Sequence, residues 1–369
     1  MMFLLCKLPK HKKLIASICF YLFLFLLLQH PSGKLFSQNS DSTFNHLTII
    51  GVGDIMFGTD FPNKSYLPPN NDCKPLIEPV INILQNADVT FGNLEGCFLN
   101  TGDVAKRCSD STRCFAFKMP EKYIDCLVDC GFDVVSLANN HIGDFGDKGR
   151  KTTMRLLDSV GIYYGGLLTY PTSIFEKNGV KIGFSAFAPN KGTCNINDIP
   201  NVVRIVEELK SKCDIVIVSF HGGAEGASHT NVTRKTEFFY GEDRGNVYEF
   251  ARYVIDAGAD VVFGHGPHVT RAIDLYKGRF IAYSLGNFCT YGRFNLHGLN
   301  GVAPIIKLFV EKNGKFVKGE IIPIIQTGRG GVELDPDNNA IIEIQRLTKA
   351  DFPESQLVIS NDGKIHLKE

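Results

Sequence analysis

The sequence predicts an α/β fold with buried strands and mixed sheets. From residue 47 to about residue 290, short runs rich in Val, Ile and Phe alternate with helix-length segments. Four of the apolar runs end in glycine or a polar turn carrying Asp, Asn or His, as strands do when they deliver side chains to one edge of a sheet. Two Asn-Gly pairs, Asn178-Gly179 and Asn313-Gly314, separate apolar runs and mark hairpins, so antiparallel strands join the sheets as well.

The chain has 369 residues, enough for one large domain or two moderate ones. Lys+Arg and Asp+Glu both total 39, a balance that points to no nucleic acid partner. At the N-terminus Lys7, Lys10, Lys12 and Lys13 precede an apolar run over residues 14–28. A positive segment before a short apolar core is the pattern of an export signal. The run is short for a span of about 20 residues. Residues 1–37 are therefore expected to be a signal peptide or an N-terminal signal anchor, with the body of the protein exported, extracellular or membrane-anchored and facing outward. Residues 38–46 read as a linker, 47–325 as the main domain, and 326–369 as a more polar C-terminal extension packed on it.

Helices are expected over residues 76–86, 121–130, 148–160, 202–210 and 247–257, each followed by a strand-like run. Nine of the 11 cysteines follow the leader, and an oxidising compartment permits disulfides. The odd number leaves at least one thiol unpaired within the chain. Cys97, Cys108 and Cys114 crowd one polar insert, where a local bridge is expected. Cys126 and Cys130 fall four apart on a helix, which reads as core packing. There are no paired C-x-x-C units of the kind a zinc ribbon needs.

The strand ends carry the chemistry. Asp54 follows Gly51-Val52-Gly53, and Glu95 follows Phe91-Gly92-Asn93-Leu94. Asn139-Asn140-His141 closes a third strand. There an Asn oxygen suits a metal, His141 suits acid–base work, and Asp144 can fix its tautomer; an Asx turn is the alternative. His221 ends a fourth strand, with Glu225 beside it facing substrate or supporting the ligands, and His229 reading as a surface histidine. His265 and His268 flank Gly266-Pro267, which fixes their separation. Asn287, in Ser284-Leu285-Gly286-Asn287-Phe288, either lines the site or forms a turn. Asp, Asn and His of this kind bind divalent manganese, zinc or iron.

In this order the motifs Gly53-Asp54-Ile55-Met56, Asn93-Leu94-Glu95, Ala138-Asn139-Asn140-His141, His221-Gly222-Gly223-Ala224-Glu225, Gly264-His265-Gly266-Pro267-His268 and Ser284-Leu285-Gly286-Asn287-Phe288 resemble the bacterial capsule-synthesis CapA family, the poly-γ-glutamate capsule family. That family is similar in turn to calcineurin-like metallophosphatases. The resemblance, over roughly residues 47–325, implies a four-layer α/β/β/α sandwich with a metal site at the strand ends. It implies Asp54 and His268 at a first metal, Glu95 as the bridging carboxylate, and Asn140, His221 and His265 at a second. His141 with Asp144 would be the acid for a leaving oxygen. Met56 stands where the phosphatase pattern has His, and the last motif is one residue longer. Both departures fall on the first metal, so one ion is expected and two remain open.

The function these expectations describe is an exported protein for synthesis, attachment or processing of an extracellular capsule polymer such as poly-γ-glutamate, through a metal-dependent hydrolytic site. Its partners would be the anionic polymer or its precursor and membrane synthase subunits. Two alternatives stand beside it: a metal-dependent phosphoesterase or other hydrolase unrelated to capsule, and a non-catalytic subunit that binds the polymer or its synthase.

Overall fold

Strands in this chain form where β-branched and aromatic residues run together, and among the described residues two large sheets and two two-stranded ribbons result. The structure, a computed structural model, describes residues 46–104, 106 and 115–368. The leader, the linker up to residue 45, and Cys108 and Cys114 of the expected local bridge lie outside the described residues. In chain order the elements are β1 (His46–Met56), α1 (Ile81–Leu84), β2 (Val89–Leu94), β3 (Cys97–Phe98), β4 (Lys118–Met119), α2 (Ile124–Cys130) and β5 (Val134–Ser136). Next come α3 (Gly146–Val160), β6 (Tyr163–Gly165), β7 (Thr172–Lys177), β8 (Val180–Phe187), α4 (Ile199–Lys210) and β9 (Ile215–His221). The small β10 (Phe238–Phe239) and β11 (Glu242–Asp243) precede α5 (Val247–Asp256), β12 (Val261–His265), β13 (Ile273–Tyr276), β14 (Arg279–Ala282) and β15 (Asn287–Thr290). The chain closes with β16 (Val302–Glu311), β17 (Phe316–Ile325), β18 (Glu333–Leu334), α6 (Asn339–Asp351), β19 (Leu357–Ile359) and β20 (Lys364–Leu367).

The larger sheet runs β19-β20-β17-β16-β1-β2-β5-β6, with β15 on β1 and β18 on β17. The smaller runs β13-β14-β12-β9-β8-β7. In the larger sheet β1, β2, β5 and β6 pair in parallel out to one edge and the strands from β16 to β19 are antiparallel; in the smaller, β14, β12, β9 and β8 pair in parallel with an antiparallel strand at each end. Both predicted hairpins form: Lys177 pairs with Val180 across Asn178-Gly179, and β16 returns as β17 past Asn313-Gly314.

Burial sorts the side chains into four layers. Leu47 and Ile49 of β1, Phe91 of β2, Phe184 of β8 and Phe263 of β12 fill the space between the sheets, where Phe91 stacks on Phe263 at 5.3 Å. Residues on the opposite face of β1, Ile50 and Val52, pack with Leu84, Ile124, Leu127 and Leu157 from α1, α2 and α3. On the other sheet Val216 and Val218 of β9 meet Val202, Val206, Phe250 and Val254 from α4 and α5. The period-2 alternation along β1 thus buries both of its faces, each in a different core. The result is the expected α/β/β/α sandwich with mixed sheets. Among the described residues no helix is long and apolar enough to cross a membrane.

Two local expectations are corrected. The stretch over 76–86 is not one helix: 3-10 turns at Lys74–Leu76 and Glu78–Val80 precede α1, which has only four residues. Pro75 and Pro79 occupy those turns, and proline lacks the N–H that an α-helix interior needs. The cysteine expectation also changes. Cys97 is a free, buried thiol, so it forms no local bridge, and Cys126 is joined to Cys73 rather than serving as simple core filling. Cys130 does remain a free thiol in the core.

Candidate metal centre

The parallel strands of both sheets end on one edge, and their register sets the site. Asp54 lies opposite Asn93 on one side and Asn287 on the other, and His265 lies opposite His221. The close approach of the end of β1 to the Gly286 backbone requires Gly53. A Cβ there would fall 2.1 Å from the Gly286 carbonyl oxygen, whose partner is the Asp54 N–H at 2.9 Å.

Asp54, Glu95 and His221, all fully buried, offer ligand atoms within 4.8 Å of one another. His265 Nδ1 stands 3.3 Å from Asp54 Oδ1, and His221 Nδ1 stands 3.6 Å from Glu95 Oε2. His268 Nδ1 engages Asp54 Oδ2 at 2.8 Å and Asn287 Oδ1 at 3.2 Å. The rings of His221 and His268 are 6.1 Å apart. Asp54, Glu95, His221, His265, His268 and Asn287 therefore meet at one place. Asn287 opens β15 instead of forming a turn, and its Nδ2 donates to the carbonyls of His268 and Asn300.

The donor set has the character of a metal shell. Glu95 Oε1, Asn140 Oδ1 and both ring nitrogens of His221 and of His265 are buried without a hydrogen-bond partner. Buried polar atoms are nearly always paired, because each orphan forfeits its hydration. Each residue can turn one such atom to a shared cation, and the orphaned atoms of Glu95, His221 and His265 beside Asp54 fit an ion held among them. The electrostatics agree. Burial works to raise the Asp54 carboxyl, but the close His265 imidazole and the hydrogen bond and charge of His268 hold it far below its usual value. Burial, then the charge of Asp54, pushes Glu95 up. Burial drives His221 well below the usual imidazole value, and the Arg244 charge adds to this, favouring the neutral form that ligates metals. His268 moves the other way: burial works to lower it, but its bond to Asp54 and the charges of Asp54, Glu225 and Glu95 together raise it.

The third strand end divides its work between two asparagines. Asn139 closes the Asx turn, with Oδ1 accepting the N–H groups of His141 and Ile142 at 3.0 and 2.9 Å. Asn140 is left with its oxygen free. His141 Nδ1 lies 2.7 Å from Asp144 Oδ2, and its Nε2 lies 3.9 Å from Glu95 Oε1. Asp144 is held by the Phe117 N–H and by Lys106 Nζ, and the Phe117 ring packs on His141 with centroids 4.1 Å apart. Burial lowers the His141 pKa, and the neighbouring Asp144 partly offsets it.

Asn93 was not singled out by sequence reasoning. Its Nδ2 donates to Asp54 Oδ1 at 2.8 Å and to Glu95 Oε2 at 2.6 Å, while its Oδ1 receives Asn139 Nδ2 at 3.2 Å. One amide thus holds both carboxylates and is itself held by the His141 turn. The available signal was its place two residues before Glu95, which puts both on one face of an extended chain. Arg244, likewise unforeseen, meets Glu225 at 3.2 Å. His229 is half-buried; its carbonyl accepts from Arg271 and its ring stands edge-on to Phe239.

A four-layer sandwich with buried carboxylates and imidazoles at the strand ends is a metallophosphatase-like architecture with a candidate metal site. Residues 48–291 match the family described as bacterial capsule synthesis protein PGA_cap, and the chain belongs to that family. It is 30% identical over 253 residues to the PGA biosynthesis protein CapA of Bacillus subtilis, covering 64% of this chain and 61% of that protein. It is 27% identical over 261 residues to the capsule biosynthesis protein CapA of Bacillus anthracis, covering 66% and 59%. A Mycobacterium tuberculosis protein named as a probable polyglutamine synthesis accessory protein is 30% identical over 233 residues, covering 56% and 57%. The chain thus spans about three fifths of the length of these relatives. Among solved structures it is similar to a hypothetical protein from Thermus thermophilus, at 18% identity and TM-score 0.46 over 79% of this chain and 100% of that one. A 5'-nucleotidase precursor from the same organism aligns at 11% identity and TM-score 0.39 over 85% and 61%.

Proposed function

We propose that this protein is exported and acts at the cell envelope in synthesis, attachment or processing of a capsule polymer such as poly-γ-glutamate, through a metal-dependent hydrolytic site. The observation that carries the reading is the set of orphaned buried donors on Glu95, Asn140, His221 and His265 beside Asp54, in a chain of the capsule-synthesis family. These residues, with His268 on Asp54, would hold a divalent manganese, zinc or iron ion. When bound, the ion supplies Lewis-acid polarisation of a carbonyl or phosphoryl oxygen.

The protein's own groups do the rest. Asp144 fixes the His141 ring through Nδ1 and leaves Nε2 facing Glu95 and the site, placed to pass a proton to a leaving group. Phe117 covers one face of that ring and keeps water from it. Asn93 keeps Asp54 and Glu95 from turning away. A second reading, a polymer- or synthase-binding subunit that retains the metal as structure, is favoured by the name of the mycobacterial relative, an accessory protein.

His141→Ala separates the two. A positioned acid or base is worth ~10²–10⁴-fold, so the variant should keep its metal and lose turnover of a defined γ-glutamyl polymer or phosphoester by that factor. Full turnover with the metal retained contradicts the catalytic reading and leaves the binding subunit.

A further inference from the structure

The loop after His221 lies directly on the turn between His265 and His268. The Gly222 N–H donates to the His265 carbonyl at 2.9 Å, and the Gly226 N–H donates to the Pro267 carbonyl at 2.8 Å. Glu225 precedes Gly226 and His268 follows Pro267, so the second bond sets Glu225 near His268. Behind it stands Arg244, whose side chain is only 2% exposed. Its Nε donates to the Gly223 carbonyl at 3.0 Å and its Nη1 to Glu242 Oε2 at 3.1 Å. Gly266 makes room for this side chain: a Cβ there would lie 3.1 Å from Arg244 Nη2 and 2.8 Å from the Gly222 backbone.

A second buried arginine shows what a purely structural one does. Arg271 spends its donors on Glu237, Ala224 O and His229 O in aligned hydrogen bonds. Arg244 Nη2 instead stays buried with no hydrogen bond, aimed at Glu225 Oε1 at 3.2 Å but out of line with it. Glu225 is 24% exposed, whereas Asp54 and Glu95 are fully buried and Asp144 is 1% exposed. Among the described residues, Glu225 is therefore the carboxylate of the site most open to an arriving molecule, and Arg244 braces it.

We propose that Glu225, braced by Arg244, is the substrate-recognition group of this centre, and that it accepts a hydrogen bond from an ammonium or amide N–H of an aminoacyl or peptidyl substrate. The inference rests on the hydrolytic reading above and names its substrate class. An N–H donor finds a fixed, charged acceptor there, the stronger kind of hydrogen bond. A phosphate dianion meets a like charge at the same place. Arg244 does not reverse this, because its own charge is already shared between Glu225 and Glu242.

The test is equilibrium binding to the full chain, metal-loaded and metal-stripped, with two probes: a γ-glutamyl amide bearing a free ammonium, and inorganic phosphate. The wild type should bind the amide more tightly than phosphate. Glu225→Gln should weaken the amide about 10-fold or more, since a hydrogen bond to a charged group is lost, and should strengthen phosphate. Arg244→Gln should move the amide the same way, with metal content unchanged in both variants. Wild type that prefers phosphate or binds neither probe, Glu225→Gln with unaltered affinities, or loss of metal from Glu225→Gln would each overturn the proposal. Probe preference without any turnover would count against the hydrolytic reading alone.

Discussion

At the scale of single residues, Asn93 is the most informative side chain. Two carboxylates side by side in a buried site repel each other, and Asn93 gives each a hydrogen from one amide nitrogen. Its orientation is settled by Asn139, whose own oxygen caps the turn bearing His141. Replacing Asn93 with Leu keeps the branched outline and removes both donors. Metal affinity should fall ~10–100-fold, the usual effect of losing a group that orients ligands. Metal titration by calorimetry reads this directly; unchanged affinity would mean that Asn93 only fills space. The sequence made the ligands legible because each stands at the end of an apolar run. It hid Asn93 and Arg244 because their roles depend on partners far along the chain: Asn93 Nδ2 reaches back to Asp54, and Arg244 enters between turns at Gly223 and Gly266.

At the scale of elements, the strands and the longer helices followed from local pattern. The helices α3, α4 and α5 fall close to their expected spans, and α2 continues a 3-10 turn at Glu121–Tyr123 as the tail of one amphipathic segment. The failure over residues 76–86 is equally local, since Pro75 and Pro79 were present to be read. The Cys73–Cys126 bridge was not legible, because pairing over 53 residues is a tertiary fact. It ties the proline-broken segment before α1, whose own backbone bonds are those of short 3-10 turns, to α2. Closing a loop of that length stabilises by about 4 kcal/mol in the chain-entropy treatment. Replacing both cysteines with Ala should lower the stability of the domain by about that amount in a denaturant titration. Loss of less than about 1 kcal/mol would show that packing already holds the segment.

At the scale of the whole molecule, two sheets pack face to face and bring their parallel strand ends to one edge. That convergence gathers Asp54, Glu95, His221, His265 and His268 from segments more than 200 residues apart. The sequence supplied the alternation and the strand-end residues, while the layering was implied by the family resemblance. Under the proposed reading the centre works at the envelope, and its chemistry depends on a bound metal.

The central claim is that this edge is a metal centre, and metal content tests it most directly. The full chain, stripped with chelator and reloaded separately with manganese, zinc and iron, should retain at least one equivalent of one of them after desalting. His221→Ala, which removes a central buried ligand, should lose it while remaining folded by circular dichroism. A wild-type chain that holds none of the three metals, or a folded His221→Ala chain that holds as much as the wild type, would contradict the account.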